Sequence, residues 1–181
     1  MDAVTFIWDT LRQVHLRLSE TCQGLTQDEV LWRPLPYANN IGFILWHVTR
    51  AEDNVISNLS PPEPALWVSQ RWYEKFKQPV EAPDPGDRMG LQGLSIPSLD
   101  VLLGYSEAVH EKAQSVFPAL PVETLDECPD PNRPQRTVAM ALRHLITHKN
   151  NHHGQIDYIR GLQDQNWDLP PGTGIVLPDA E

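Results

Sequence analysis

Three histidines frame the chemistry this chain could carry. His148 and His152 stand four residues apart in a run whose apolar positions recur at helical spacing: Val138, Ala141, Leu142, Leu145, then His148, His152 and Ile156. Two imidazoles therefore occupy places where leucine fits the pattern. On a helix, residues four apart are offset by roughly 40° and about 6 Å of rise, so both rings can reach one ion. A third donor must come from another segment. His47 follows Ile44 by three residues and precedes Ala51 by four, which points it inward from a second helical stretch. Imidazole nitrogen suits zinc, nickel, copper and iron alike, so this trio points to a divalent metal site without naming the metal.

The other histidines are weighed against the same spacing. His144, His148 and His152 form a ladder, but His144 and His152 are separated by about 80° and roughly 12 Å, too far to share an ion. The pair is either 144 with 148 or 148 with 152, and the second is preferred here. Gly154 follows it, where a close backbone approach or an open site gives a glycine its use. His153, rotated by about 100° from His152, is expected to face outward. His15 and His110 read as ordinary core or boundary residues. A single HxxxH pair is structural about as often as it is metal-binding; His47 raises the odds.

Composition excludes several classes. The 181 residues carry 14 basic against 24 acidic side chains, a formal net charge of -10, which argues against a surface that tracks nucleic-acid phosphates. Hydrophobic content is 40%, and no apolar run reaches the roughly 18 residues of a membrane span. The start Met1-Asp2-Ala3-Val4 lacks the basic region of a signal peptide, so the expected compartment is the cytoplasm. Cys22 and Cys128 make no disulfide framework. Neither GxGxxG nor GxxxxGK[ST] occurs, and Gly172-Thr173-Gly174 lies in a proline-rich stretch.

These residues need helices to position them. Apolar periodicity predicts four long ones: Ala3 to Gln23 with Gly24 as a stop, Ile41 to Asn58 capped by Asn39 or Asn40, Ser95 or Ser98 to Phe117, and Gln135 to Leu162. Thr26 to Glu29 reads as a capping box opening a short connector helix. Between the second and third long helices, Ser60 to Pro97 is a proline-rich excursion holding one aromatic stretch, Trp67 to Phe76. This stretch is expected as a short helix, either packed on the bundle or walling a pocket. No segment reads as a strand, including Gly174-Ile175-Val176-Leu177. The expectation is an all-α four-helix bundle with long proline-rich connectors. It forms one domain over residues 1–181, of which about 164–181 are a C-terminal tail.

Two segments carry a resemblance. Asn39-Asn40-Ile41-Gly42-Phe43-Ile44-Leu45-Trp46-His47-Val48, and later His144-Leu145-Ile146-Thr147-His148-Lys149-Asn150-Asn151-His152-His153-Gly154-Gln155-Ile156, closely resemble the DinB/YfiT-like superfamily of bacterial four-helix metalloproteins. The resemblance covers essentially the whole chain. It implies a metal site formed by His47, His148 and His152, filled in relatives by zinc, nickel or iron, in a bundle that often forms homodimers. The arginine usual before the glycine is His153 here, which removes any role that arginine plays. Members with an assigned activity include transferases and isomerases that depend on low-molecular-weight thiols, and the family name implies no DNA binding.

Three neutral imidazoles leave a divalent ion its full charge and an open position, the arrangement of a catalytic site. The leading expectation is a metal-dependent enzyme that transfers a low-molecular-weight thiol cosubstrate to a small electrophilic substrate, with Trp46, Trp67 or Trp72 as walls and Asn151 or Gln155 as orienting groups. A metal-dependent hydrolase is the alternative, with Glu52 or Asp53 the nearest carboxylates in sequence although both point off the face of His47. A noncatalytic stress-related protein that holds metal or ligand is the third reading. Neither nucleic acid nor membrane is expected as a partner.

Overall fold

Local capping chemistry starts each long helix where the sequence places a short polar side chain. In a computed structural model whose described residues are 1–59, 63–130 and 132–168, Asp2 accepts a 2.8 Å bond from the amide of Thr5 and opens α1, Ala3–Cys22. Gly24, at φ +74°, takes the left-handed conformation just past its end. Thr26 and Glu29 make the reciprocal capping box of α2, Gln27–Leu31. Asn40 accepts from the amide of Phe43 and opens α3, Ile41–Ser57. Three short helices follow: α4, Leu66–Ser69; α5, Trp72–Phe76; and α6, Arg88–Gln92. Ser98 precedes α7, Leu99–Val116, and two short 3-10 turns lead to Thr137, which caps α8, Val138–Gln163.

The expected all-α architecture is what forms, and no strand occurs among the described residues. The tail beyond residue 168, with Gly174-Ile175-Val176-Leu177, lies outside them, as do residues 60–62 of the excursion. No helix among the described residues is long and apolar enough to cross a membrane. The four long helices make the bundle: α3 packs on α7 and α8, and α1 packs on α8 and α7. The helices that carry the histidines, α3 and α8, are thus direct neighbours despite their distance in sequence.

The core divides into two apolar clusters with a polar layer between them. Leu18, Val48, Val109 and Ile156 belong to one cluster, and Leu11, Ile56, Ala113 and Leu145 to the other. On each long helix a polar, buried residue lies between those pairs: His15, Glu52, His110 and Lys149. Lys149 and Glu52 form an ion pair there, and the rings of His15 and His110 stack at 3.9 Å with a 2° interplanar angle. A buried charge needs such a partner, because desolvation alone costs several kcal/mol.

The aromatic stretch differs from the single short helix expected. Arg71 adopts a left-handed φ of 54°, which splits it into α4 and α5. Buried Asp53 fastens the first piece: its carboxylate accepts from the amides of Leu66 and Trp67 at 2.8 Å each, and from Tyr105 Oη at 2.7 Å. Trp67, Trp72 and Phe76 then pack around Tyr105 inside the core, so the packing alternative holds for the aromatics.

Candidate metal centre

His47 comes from the middle of α3, and His148 and His152 from successive turns of α8. The α3–α8 packing brings them together: one ligand atom from each lies within 4.8 Å of the others. The ring centroids are 4.8 Å apart for His47 and His148, 5.0 Å for His47 and His152, and 4.5 Å for His148 and His152. His47 Nε2 lies 3.0 Å from His148 Nε2. Around a tetrahedral ion with Zn–N bonds of about 2.0–2.1 Å, ligand nitrogens stand about 3.3 Å apart, so the observed spacing needs only small ring movements.

Electrostatics favour the neutral rings that a metal requires. Burial, and then the neighbouring His152, lower the pKa of His47; burial followed by His152, His47 and His144 lowers His148 to about 4. His152 Nδ1 donates to Gln155 Oε1 at 2.9 Å, which fixes its tautomer and leaves Nε2 with a free lone pair. His148 Nδ1 is buried without a partner among the described residues. Each neutral imidazole offers one nitrogen lone pair, and three such donors within 4.8 Å of one another fit a shared divalent cation.

A cavity of about 1060 Å³ opens beside the trio. His47 and His152 line it, while His148 does not reach its wall. Phe43, Trp46 and Tyr158 supply apolar surface, and Asn151 and Gln155 supply amides. The far wall comes from the excursion, through the loop at Ala82, Pro83 and Pro85 and through α6. Gly154 also lines the cavity, and a Cβ built there would meet nothing within 4 Å. Its place is therefore an open site, not a tight helix crossing.

Comparison with known proteins settles the family. The DinB superfamily pattern matches residues 10–156, most of the chain and both histidine segments. The chain belongs to the DinB superfamily. No curated protein matches it. Among solved structures, a conserved protein of Enterococcus faecalis aligns with a TM-score of 0.77 at 29% identity, over 90% of this chain and 97% of that one.

Within this DinB fold several side chains depart from their expected places. His153 does not face outward: it is buried, its Nε2 lies 2.9 Å from Thr21 Oγ1 on α1, and its Nδ1 lies 3.4 Å from Asp157. Because α8 packs on both α1 and α3, faces rotated by about 100° are both covered. His144 is exposed. Glu52 and Asp53 are buried and engaged elsewhere, Glu52 by Lys149 and Asp53 by Tyr105 and two amides, so neither supplies a base to the cavity. Of the three tryptophans expected as walls, Trp46 lines the cavity, whereas Trp67 and Trp72 do not. Lys149 was missed, although Leu142, Leu145, Lys149 and Ile156 share the heptad spacing that marks a core face.

Proposed function

We propose that His47, His148 and His152 hold one divalent ion, zinc, nickel or iron, and that the site is enzymatic, transferring a low-molecular-weight thiol to a small electrophile. The observation that carries this reading is the convergence of three imidazoles at the edge of a cavity, with no carboxylate among the described lining residues. A divalent ion with three neutral nitrogen ligands keeps its full positive charge and supplies Lewis acidity, which favours the thiolate form of a bound thiol. The protein's share of the work is positional. Gln155 holds the His152 ring in one tautomer, burial keeps His47 and His148 unprotonated, and Phe43 and Trp46 give an electrophile an apolar surface. Hydrolysis is the weaker reading, because the two carboxylates nearest His47 in sequence are tied up in the core.

The test has two arms. Purified protein should carry one equivalent of divalent metal by elemental analysis, and His148→Ala should lose it while remaining helical; a folded wild-type protein that takes up no zinc, nickel or iron refutes the site. Metal-loaded protein should then conjugate thiols to chloronitrobenzene-type electrophiles faster than the His148→Ala variant. Stoichiometric metal with no conjugation across several thiols moves the assignment to a noncatalytic binding protein.

A further inference from the structure

The charge distribution of the cavity runs against that of the protein. The chain has a net charge of -10, yet the ionisable residues that line the cavity, apart from the histidines and tyrosines, are Arg50 and Arg88. Among the described residues no aspartate or glutamate lines it. The carboxylates close in sequence are already used. Glu52 pairs with Lys149, and Asp53 accepts from Tyr105, Leu66 and Trp67. Asp84 accepts from the amide of Gly86 at 2.7 Å, and Asp87 caps α6 through the amide of Gly90 at 2.9 Å. No described carboxylate forms an ion pair with either arginine.

Arg50 is placed to act on whatever enters. It lies three residues after His47 on α3, so the two side chains are neighbours on one helix face. Its guanidinium stacks on the buried ring of Trp67, 4.5 Å from the centroid, and donates to Tyr105 Oη, which in turn donates to Asp53, so the group is held in place while it stays half-buried. A half-buried guanidinium that no described carboxylate pairs with directly keeps further N–H donors for an entering oxyanion, since guanidinium geometry matches carboxylate, sulfonate or phosphate oxygens. Arg88 is exposed on α6 across the cavity and adds a second positive charge at its rim.

We infer that the cavity takes a small amphipathic anion: an oxyanion held by Arg50 and drawn in by Arg88, with an apolar body against Phe43, Trp46 and Tyr158. As a statement of substrate class it rests on the proposed reaction at the histidines, whereas the binding step itself requires only the arginines. The reactive end of such a molecule lies beside His47 and His152, which share the cavity wall with Arg50.

The experiment titrates chelator-treated, metal-free protein at pH 7.5 with two fluorescent probes of one shape, anionic 8-anilino-1-naphthalenesulfonate and uncharged N-phenyl-1-naphthylamine. The wild type should bind the sulfonate at one site per chain, at least about fivefold more tightly than the neutral probe. Arg50→Gln should weaken sulfonate binding about tenfold and leave the neutral probe within twofold, and Arg50→Lys should fall between. Arg88→Glu, on an exposed helix, should weaken the sulfonate about threefold or more at low salt and keeps the test decisive should Arg50→Gln fail to fold. Equal affinity of the wild type for the two probes, or equal losses for both in either folded variant, overturns the inference. Charge discrimination in a protein that never takes up metal leaves the anion site standing and removes the metal reading. Stoichiometric metal without discrimination does the reverse.

Discussion

Separating Lys149 from Glu52 should be the most damaging conservative change available in this chain. Both side chains are 1–2% exposed and meet in the polar layer between the two apolar clusters. Glu52→Gln keeps the shape of the side chain but leaves an ammonium in the core without its counter-charge, and Lys149→Met leaves the converse. Removing one member of such a pair costs about 3–5 kcal/mol. At about 2–4 °C per kcal/mol for a chain of this size, each single variant should melt about 6–20 °C below the wild type. The double variant Glu52→Gln/Lys149→Met removes both charges at once. It should recover most of that loss, with a coupling of about 3 kcal/mol, because the burial of charge that the pair offsets is gone. Circular dichroism melts of chelator-treated protein at pH 7.5 measure all four corners of the cycle without a contribution from bound metal. Single losses below about 1 kcal/mol that add in the double variant would refute the claim that these charges depend on one another.

Acid should destabilise the fold through His15 as the pH falls below about 7. Burial, then Lys149 and His110, hold His15 down at a pKa of about 2, while an unfolded histidine titrates near 6.5. The unfolded chain therefore binds the proton first. This stability is full above pH 6.5 and declines below it towards the folded pKa, by about 2 kcal/mol from His15 between pH 7 and 5. Urea midpoints should fall over that range and the slope should shrink in His15→Gln; an unchanged slope in the variant contradicts the assignment. Burial pushes the thiol of Cys22 up to about 12, whereas Cys128 is exposed, so a disulfide reagent should label one thiol per native chain and two after denaturation. Rapid labelling of both in the native state would show that the α1 end of the core opens freely. Gly42→Ala places a methyl group 2.8 Å from Val30 Cγ1 and closer still to Ile96. The crowding costs about 1–3 kcal/mol against a helix-propensity gain of about 1, so a lower melting temperature is expected and a higher one refutes the close packing of α3.

Much of the fold was legible because caps and faces are local. Asp2, Thr26, Asn40 and Thr137 bond to amides three residues away, so their effect needs nothing beyond the neighbouring chain. The inward positions of His47, His148 and His152 likewise follow from a period of about 3.6 residues, and the family resemblance supplied the pairing of those two segments. Periodicity assigns a helix one apolar face, however, and that assumption failed where α8 meets two partners. His153 is buried because Thr21 on α1 bonds it, and Lys149 because Glu52 on α3 neutralises it. Neither partner is marked as such in the local sequence.

The cavity shows the same division. Aromatic residues at 67–76 invited a reading as pocket walls, but Asp53 draws α4 into the core, and the loop with α6 becomes the wall instead. By itself the sequence determined the four long helices, the capping box at Thr26, the cap at Asn40 and which histidines share a face, since those depend on bonds and spacings within a few residues. Only the tertiary structure decided which helices are neighbours, which charges are buried together and which arginines are left facing an open cavity, since each depends on groups far apart in sequence, 97 residues for Lys149 and Glu52 and 132 for Thr21 and His153, meeting across a packed interface.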